Sequence, residues 1–251
     1  MPRAPRPDDL YALRVPTDVR ISPDGSRVVF AVRAVGPRKD AYRSALWLAP
    51  ADGSSAARQL TLGAKTDGNP RWSPDGRTLA FLSDRGAILE AGGAGEKAGP
   101  AELTRDGTVQ VWLLPTDGGE ARQVTRLPRD VTDLAWSPDG KSLCLASSSV
   151  TTEPRPRRRP DEPPEPDIHL IDRLNYQLNG IGFVYDRPGN LWLLDVATEE
   201  TVRLTRGQAN DESPVWDPHG GRVAFVSNRH QDADLSWRTD IYLLDLEERR
   251  P

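Results

Sequence analysis

The sequence predicts an all-β fold with four short strands per repeating unit. Three observations carry this: a turn phrase that recurs four times, a strand phrase that recurs out of step with it, and a nearly fixed distance from the second phrase to the next copy of the first. The turn phrase is Ile21-Ser22-Pro23-Asp24-Gly25, Trp72-Ser73-Pro74-Asp75-Gly76, Trp136-Ser137-Pro138-Asp139-Gly140 and a worn copy, Trp216-Asp217-Pro218-His219-Gly220. The strand phrase is Leu46-Trp47-Leu48, Val111-Trp112-Leu113-Leu114, Leu191-Trp192-Leu193-Leu194 and Ile241-Tyr242-Leu243-Leu244. Self-similarity of this kind marks a repeat architecture.

Each turn phrase has the chemistry of a tight reversal. Proline pre-sets φ at the second position, Asp tolerates the third, and Gly accepts the left-handed conformation that returns the chain antiparallel. The second strand of each unit follows at once: Val28-Val29-Phe30, Leu79-Ala80-Phe81, Leu143-Cys144-Leu145 and Val223-Ala224-Phe225, short and apolar between polar flanks. The strand phrase is the third strand. In the first three units it is followed by a turn (Asp52-Gly53, Asp117-Gly118-Gly119, Ala197-Thr198-Glu199) and a polar fourth strand ending Arg58-Gln59-Leu60-Thr61, Arg122-Gln123-Val124-Thr125 and Val202-Arg203-Leu204-Thr205.

The spacings choose the architecture. From third-strand aromatic to next turn is 26 residues (Trp47 to Ser73), then 25 (Trp112 to Ser137) and 25 (Trp192 to Asp217). From turn to aromatic is 25, 39, 55 and 25 (Ser22 to Trp47, Ser73 to Trp112, Ser137 to Trp192, Asp217 to Tyr242), so all length variation sits between the second and third strands. A unit of about 50 residues with four strands matches a β-propeller blade. The expected fold is a partial β-propeller with three full four-stranded blades, about 17–61, 69–125 and 132–205, and most of a fourth, 212–247. Inserted loops cover 83–109 and 147–190, on the face shared with the blade-to-blade connections. An open arc leaves a sheet face and an edge unprotected, so the chain reads as an unfinished ring: a fragment, or one completed by another chain or a swapped strand.

Composition sets outer bounds. The 251 residues carry 33 Lys plus Arg against 37 Asp plus Glu, a formal charge of −4, which lacks the basic footprint of a nucleic-acid binder. The longest apolar runs, Val28 to Val32 and Ala45 to Ala49, are five residues each, far short of the roughly 20 a membrane helix needs. Met1 to Pro7 has a positive start without an apolar stretch behind it, unlike a secretory signal, and a cytoplasmic location is expected. One cysteine, Cys144, and three scattered histidines provide neither an internal disulfide nor a structural zinc site.

The candidates for chemistry each have a plainer reading. His169, His219 and His230 are the residues suited to proton transfer near neutrality, but nothing in the sequence sets them in a triad. His219 replaces the Asp of a turn, His230 lies in the polar loop Asn228-Arg229-His230-Gln231-Asp232, and His169 follows a proline-rich stretch. Gly140-Lys141-Ser142 is a turn and not a phosphate loop, since the glycine required five residues earlier is Ala135. Gly93-Ala94-Gly95 belongs to a flexible insertion. The run Arg155-Pro156-Arg157-Arg158-Arg159 is cancelled by Asp161, Glu162, Glu165 and Asp167, as expected of a solvated loop. Asp232, Asp234 and Asp240 lack the glycine and terminal glutamate of a calcium loop. Most tryptophans, Trp72, Trp136, Trp216, Trp112 and Trp192, are placed to pack between blades, while Trp237 on the loop of the fourth unit could line a peptide path or cover a next blade. No catalytic, cofactor-binding or metal residue is nominated, and no cofactor is expected.

The ordered combination of these phrases resembles the N-terminal propeller of the prolyl oligopeptidase family of serine peptidases, in its acylaminoacyl-peptidase and dipeptidyl-peptidase-like branch. The resemblance runs from Asp9-Leu10-Tyr11 and Pro16-Thr17-Asp18-Val19-Arg20 to Phe225-Val226-Ser227-Asn228-Arg229. It is strongest from Asp172-Arg173-Leu174-Asn175-Tyr176 through Asn179-Gly180-Ile181-Gly182-Phe183, and continues through Leu204-Thr205-Arg206-Gly207 and Asp211-Glu212-Ser213-Pro214-Val215-Trp216. The resemblance implies a propeller that restricts entry of short peptides to an α/β-hydrolase domain of the same polypeptide, with no nucleic-acid or membrane partner. The hydrolase domain's nucleophile motif, Gly-x-Ser-x-Gly, is absent from this chain, so the chain alone is expected to hydrolyse nothing. The alternative is a TolB-like propeller acting as a protein-interaction module.

Overall fold

The computed structural model describes residues 3–4, 6–39, 41–86, 108–149, 171, 174, 176–178, 182–183 and 187–247. His169, the Gly93 and Gly95 pair, the arginine run at 155–159 and most of both insertions lie outside the described residues. A short 3-10 helix, Pro7–Ala12, opens the chain. The first sheet is β1 (Arg14–Ile21), β2 (Arg27–Val35), β3 (Tyr42–Pro50) and β4 (Arg58–Gln59). The second is β5 (Asp67–Trp72), β6 (Thr78–Ser83), β7 (Gln110–Pro115) and β8 (Arg122–Gln123). The third is β9 (Val131–Trp136), β10 (Ser142–Ser148), β13 (Gly189–Asp195) and β14 (Thr201–Arg203), and a two-stranded ribbon, β11 (Gln177–Leu178) with β12 (Gly182–Phe183), falls within its insertion. The fourth has three strands, β15 (Asp211–Trp216), β16 (Arg222–Ser227) and β17 (Asp240–Asp245). Every pairing in these sheets is antiparallel between sequence neighbours, apart from the ribbon set between β10 and β13. The fold is a partial, open β-propeller.

The turn glycines Gly25, Gly76, Gly140 and Gly220 have φ of 73°, 70°, 70° and 85°, values that a Cβ disfavours. In the first turn the Ser22 hydroxyl donates to Asp24 Oδ1 at 2.5 Å and accepts the Arg27 N–H at 2.9 Å. Ser73 with Asp75 and Ser137 with Asp139 repeat this. In the worn copy Asp217 stands where the others have serine and accepts the His219 N–H at 2.7 Å.

The sheets pack face to face, with the first strand of each against the first strand of the next: β1 beside β5, β5 beside β9, β9 beside β15. These strands form the inner edge of the arc. A middle sheet is buried on both faces, so its strands read as continuous apolar runs and not as alternation. Leu79 and Phe81 of β6 face the first sheet with Val29, Ala31, Leu46 and Leu48, while Ala80 and Leu82 face the third with Leu143 and Leu145. Cys144 and Ala146 point the other way, toward Val223 and Phe225 of the fourth.

Two small contacts repeat at every junction. The indole Nε1 of Trp72 donates to the Arg20 carbonyl at 3.2 Å, that of Trp136 to Arg71 at 3.1 Å, and that of Trp216 to Ala135 at 3.0 Å. Each turn glycine also faces the proline of the turn before it: a Cβ on Gly76, Gly140 or Gly220 would lie 3.7, 3.5 or 3.8 Å from Cδ of Pro23, Pro74 or Pro138. At Gly25 nothing lies within 4 Å. Apolar side chains on the two end sheets are exposed: Ile21 on the first is 62% exposed, and Val215, Ile241 and Leu243 on the fourth are 62%, 81% and 60% exposed.

Candidate functional site

The inner edge carries a built polar belt. Each first strand has a register shift, at Thr17/Arg20 in β1, Gly68/Arg71 in β5 and Glu212/Val215 in β15, and opposite Ala146/Ser147 in β9. Such bulges re-aim a side chain out of the ladder. Asp18, Asn69 and Ser213 sit at three of them with φ of 51°, 51° and 52°, a left-handed conformation that Asn and Asp tolerate better than most residues. Asp133 holds the equivalent place in β9, four residues before its turn. The Asn69 N–H donates to Asp18 Oδ2 at 3.4 Å and its Nδ2 to Asp133 Oδ1 at 3.0 Å, while Arg71 reaches the same Asp133 oxygen at 3.3 Å. Burial, followed by repulsion from Arg20, lowers the Arg71 pKa from its usual value. The belt thus places polar groups of both charges along the inner edge, linked to one another across three successive sheets.

Above the belt, where the second strands end, two buried carboxylates pin the loops. Asp67 Oδ1 accepts the Ser83 hydroxyl at 2.7 Å and Oδ2 accepts Arg85 at 2.5 Å. The Arg85 guanidinium lies 5.2 and 5.1 Å from the ring centroids of Phe81 and Trp112. The fourth sheet repeats this with Asp211, Ser227 and Arg229, the last over Phe225. In the third sheet Val131 and Ser149 occupy the corresponding positions. Sequence reading missed these clusters. Their signal is a Ser-x-Arg phrase closing the second strand together with an Asp five residues before the turn tryptophan.

The rim loop 228–239 carries the remaining candidates. The His230 side chain is 6% exposed, with Nδ1 at 2.8 Å from Asp232 Oδ1 and Nε2 at 2.7 Å from the Arg238 carbonyl. It braces the loop that presents Leu235 and Trp237, 75% and 78% exposed. The Leu174 N–H donates to Asp234 Oδ2 at 2.7 Å, so the second insertion meets this loop and adds exposed Leu174 and Tyr176 to the same rim. Asp232, Asp234 and Asp240 are engaged by His230, Leu174 and Arg238 respectively, and among the described residues no group of three His, Cys, Asp or Glu could hold a metal. His219 is exposed on its turn. Cys144 is fully buried and its thiol pKa is pushed well above the usual range by burial. Among the described side chains, no nucleophile and base are brought together.

No family model matches the sequence. The uncharacterized peptidase YuxL of Bacillus subtilis is 32% identical over 237 residues, 94% of this chain and 33% of that protein. Dipeptidyl-peptidase 5 of Porphyromonas endodontalis is 29% identical over 90% of this chain and 31% of its own length. Among solved structures, the acylaminoacyl peptidase of Pyrococcus horikoshii superposes with a TM-score of 0.63 at 18% identity, covering 94% of this chain and 31% of that one. This chain is a propeller region related to those of prolyl oligopeptidase-family peptidases. It spans about a third of the length of the curated peptidases it matches. The putative TolB from Agrobacterium tumefaciens shares the propeller fold, with a TM-score of 0.55 at 19% identity over 92% of this chain and 61% of that one. No helix among the described residues is long and apolar enough to cross a membrane.

Proposed function

We propose that this chain is the non-catalytic propeller portion of a serine peptidase acting on short peptides, and that it gates access to an α/β-hydrolase domain of the same polypeptide. The observation that carries the reading is the coverage: nearly all of this chain matches YuxL, but only 33% of that peptidase is matched. In this reading the catalytic serine, aspartate and histidine lie in the unmatched part, consistent with the lack of a Gly-x-Ser-x-Gly phrase here. Units 17–61, 69–125, 132–205 and 212–247 act as blades in a cytoplasmic enzyme. Selection is steric and polar together. The inner edge admits an extended chain whose backbone groups pair with Asp18, Asn69, Arg71 and Asp133, and it excludes a folded domain. The insertions 83–109 and 147–190 meet the hydrolase domain or the substrate.

The test begins with the coding sequence beyond Pro251, where this reading expects further blades and a hydrolase domain. In that full-length protein, deletion of 83–109 is expected to weaken domain docking or to admit longer peptides; docking and size selectivity both left unchanged overturn the role given to this insertion. A TolB-like interaction module is the second reading, favoured by the larger share of the putative TolB that this chain covers. It predicts an intact gene without a hydrolase domain.

A further inference from the structure

We propose that the cavity between the second and third sheets, beside their turns, is a binding site for a guanidinium group carried by an arginine side chain of a polypeptide. The inference goes beyond the peptidase reading and does not rest on it. Its evidence is a comparison inside the chain, because at the junction of the first and second sheets the protein supplies a guanidinium itself. There the Arg27 guanidinium lies 4.9 Å from the centroid of the Trp72 ring, and its Nη2 donates to the Gly76 carbonyl at 2.9 Å. The Thr116 hydroxyl donates to the same carbonyl at 3.2 Å. One junction on, the repeat sets Thr78 in the place of Arg27, five residues after the turn serine. It sets Val196 in the place of Thr116, each bonding through its amide to the residue after the turn glycine. Both donors are lost together. Among the described residues the Gly140 carbonyl accepts no hydrogen bond, and no cation lies over the Trp136 ring. A cavity of about 550 Å³ lies there instead, with Thr78, Trp136, Gly140 and Val196 in its lining, a size within the roughly 300–1,000 Å³ of small-ligand sites.

The charge of the lining selects a cation. Three carboxylates, Asp75, Glu120 and Asp139, face one guanidinium, that of Arg122. Arg122 is the counterpart of Arg58 and not of Arg27: it pairs with Glu199 of the third sheet, as Arg58 reaches the Thr116 carbonyl at 3.2 Å across the first junction. In Asp75 and Asp139 the turn serine and a backbone N–H both bond Oδ1, and Oδ2 accepts no hydrogen bond from the described residues. At the third junction His219 stands where the second aspartate would be, so the acidic pair without its own arginine belongs to the second junction. An aromatic face, a carbonyl and carboxylates are the partners of a guanidinium, which is planar, weakly hydrated and able to stack while it donates. A free amino acid would bring its own carboxylate among these three, which favours the side chain of a polypeptide as the carrier.

The whole chain is titrated with N-acetylarginine amide, with its uncharged isostere N-acetylcitrulline amide and with free arginine, following the Trp136 indole N–H resonance, assigned through Trp136→Phe. The arginine amide is expected to shift this resonance saturably. The citrulline amide is expected to bind about ten-fold more weakly, since it lacks the charge that strengthens both the hydrogen bond and the ring contact. Thr78→Arg, which gives the second junction the side chain of the first, is expected to abolish the shift and to raise the urea midpoint; circular dichroism and a cooperative melt verify its folding. Equal binding of the arginine and citrulline amides, no shift with any of the three compounds, or an undiminished shift in folded Thr78→Arg protein overturns the site. Free arginine binding as tightly as the arginine amide overturns the polypeptide carrier and makes a small guanidinium compound the ligand. The comparison of arginine with citrulline is made on wild-type protein, so it decides the matter even where Thr78→Arg does not fold. No hydrolase domain enters these measurements, so loss of the peptidase reading leaves them interpretable.

Discussion

The side-chain amide of Asn69 donates to the carboxylate of Asp133 at 3.0 Å, tying the inner strands of two successive sheets across the concave edge. Asn69 reaches it from a left-handed backbone conformation, φ 51°. Two effects are combined at one residue, and they can be separated. Asn69→Gly keeps the backbone and loses the bond, for a cost of about 1 kcal/mol. Asn69→Ala loses the bond and adds left-handed strain, roughly 1 kcal/mol more. Urea unfolding midpoints should therefore fall in the order wild type, Gly, Ala. An alanine variant as stable as the glycine variant shows that the conformation is not held in solution.

The Asp67 cluster gives a larger effect. Its carboxylate is 1% exposed and is satisfied by Ser83 and Arg85. Arg85→Ala leaves a buried charge short of its partner, which costs about 3 kcal/mol. Adding Asp67→Asn to that variant removes the charge and should restore part of the loss. A double variant less stable than Arg85→Ala would show that hydrogen bonding, and not charge compensation, governs this site.

How much of this was legible depends on how local the causes are. The Pro-Asp-Gly turns and the apolar strands after them were readable because each is decided within about five residues. Interblade packing of the tryptophans was readable from their position beside the turns. The inner-edge bulges and the Asp67 and Asp211 clusters were not, because Asp67 meets Ser83 and Arg85 only once two strands pair in register. His230 stands in a polar stretch of sequence, yet its ring is enclosed, because Asp232 two residues on and the Arg238 carbonyl eight residues on fold back over it. The short helix at Pro7–Ala12 and the ribbon of β11 and β12 had no periodicity to announce them.

Acid should loosen the turns. The carboxyls of Asp75 and Asp139 are held below the usual range, first by the Ser73 and Ser137 hydroxyls and then by the backbone N–H of Arg77 and Lys141. A group whose pKa is depressed in the folded state contributes stability above its unfolded pKa, about 3.9 for Asp, and that contribution is lost as pH falls through the folded value. Asn at both positions keeps the acceptor oxygen and removes the charge. The Asp75→Asn, Asp139→Asn protein should be less stable than wild type at pH 7, and the gap should close as pH drops below about 4. A gap of constant size from pH 7 to pH 3 would rule out the carboxylate charge as its source.

Cys144 reports on the integrity of the third and fourth sheets together. Its thiol sits at 0% exposure in the cluster shared with Val223 and Phe225, and burial raises its pKa well above that of a free thiol. The thiolate is the species that reacts, so both access and ionisation are denied while these sheets remain packed. Native protein should resist an aromatic disulfide reagent at pH 8 and label fully in denaturant. Native labelling should be limited by opening of the sheet interface, and Phe225→Ala, which hollows that cluster, should accelerate it by more than ten-fold, since such truncations cost about 3 to 5 kcal/mol. Phe81→Ala, in the cluster between the first and second sheets, should accelerate it far less if the sheets open one at a time. Equal acceleration by the two variants would mean that the arc opens as one cooperative body.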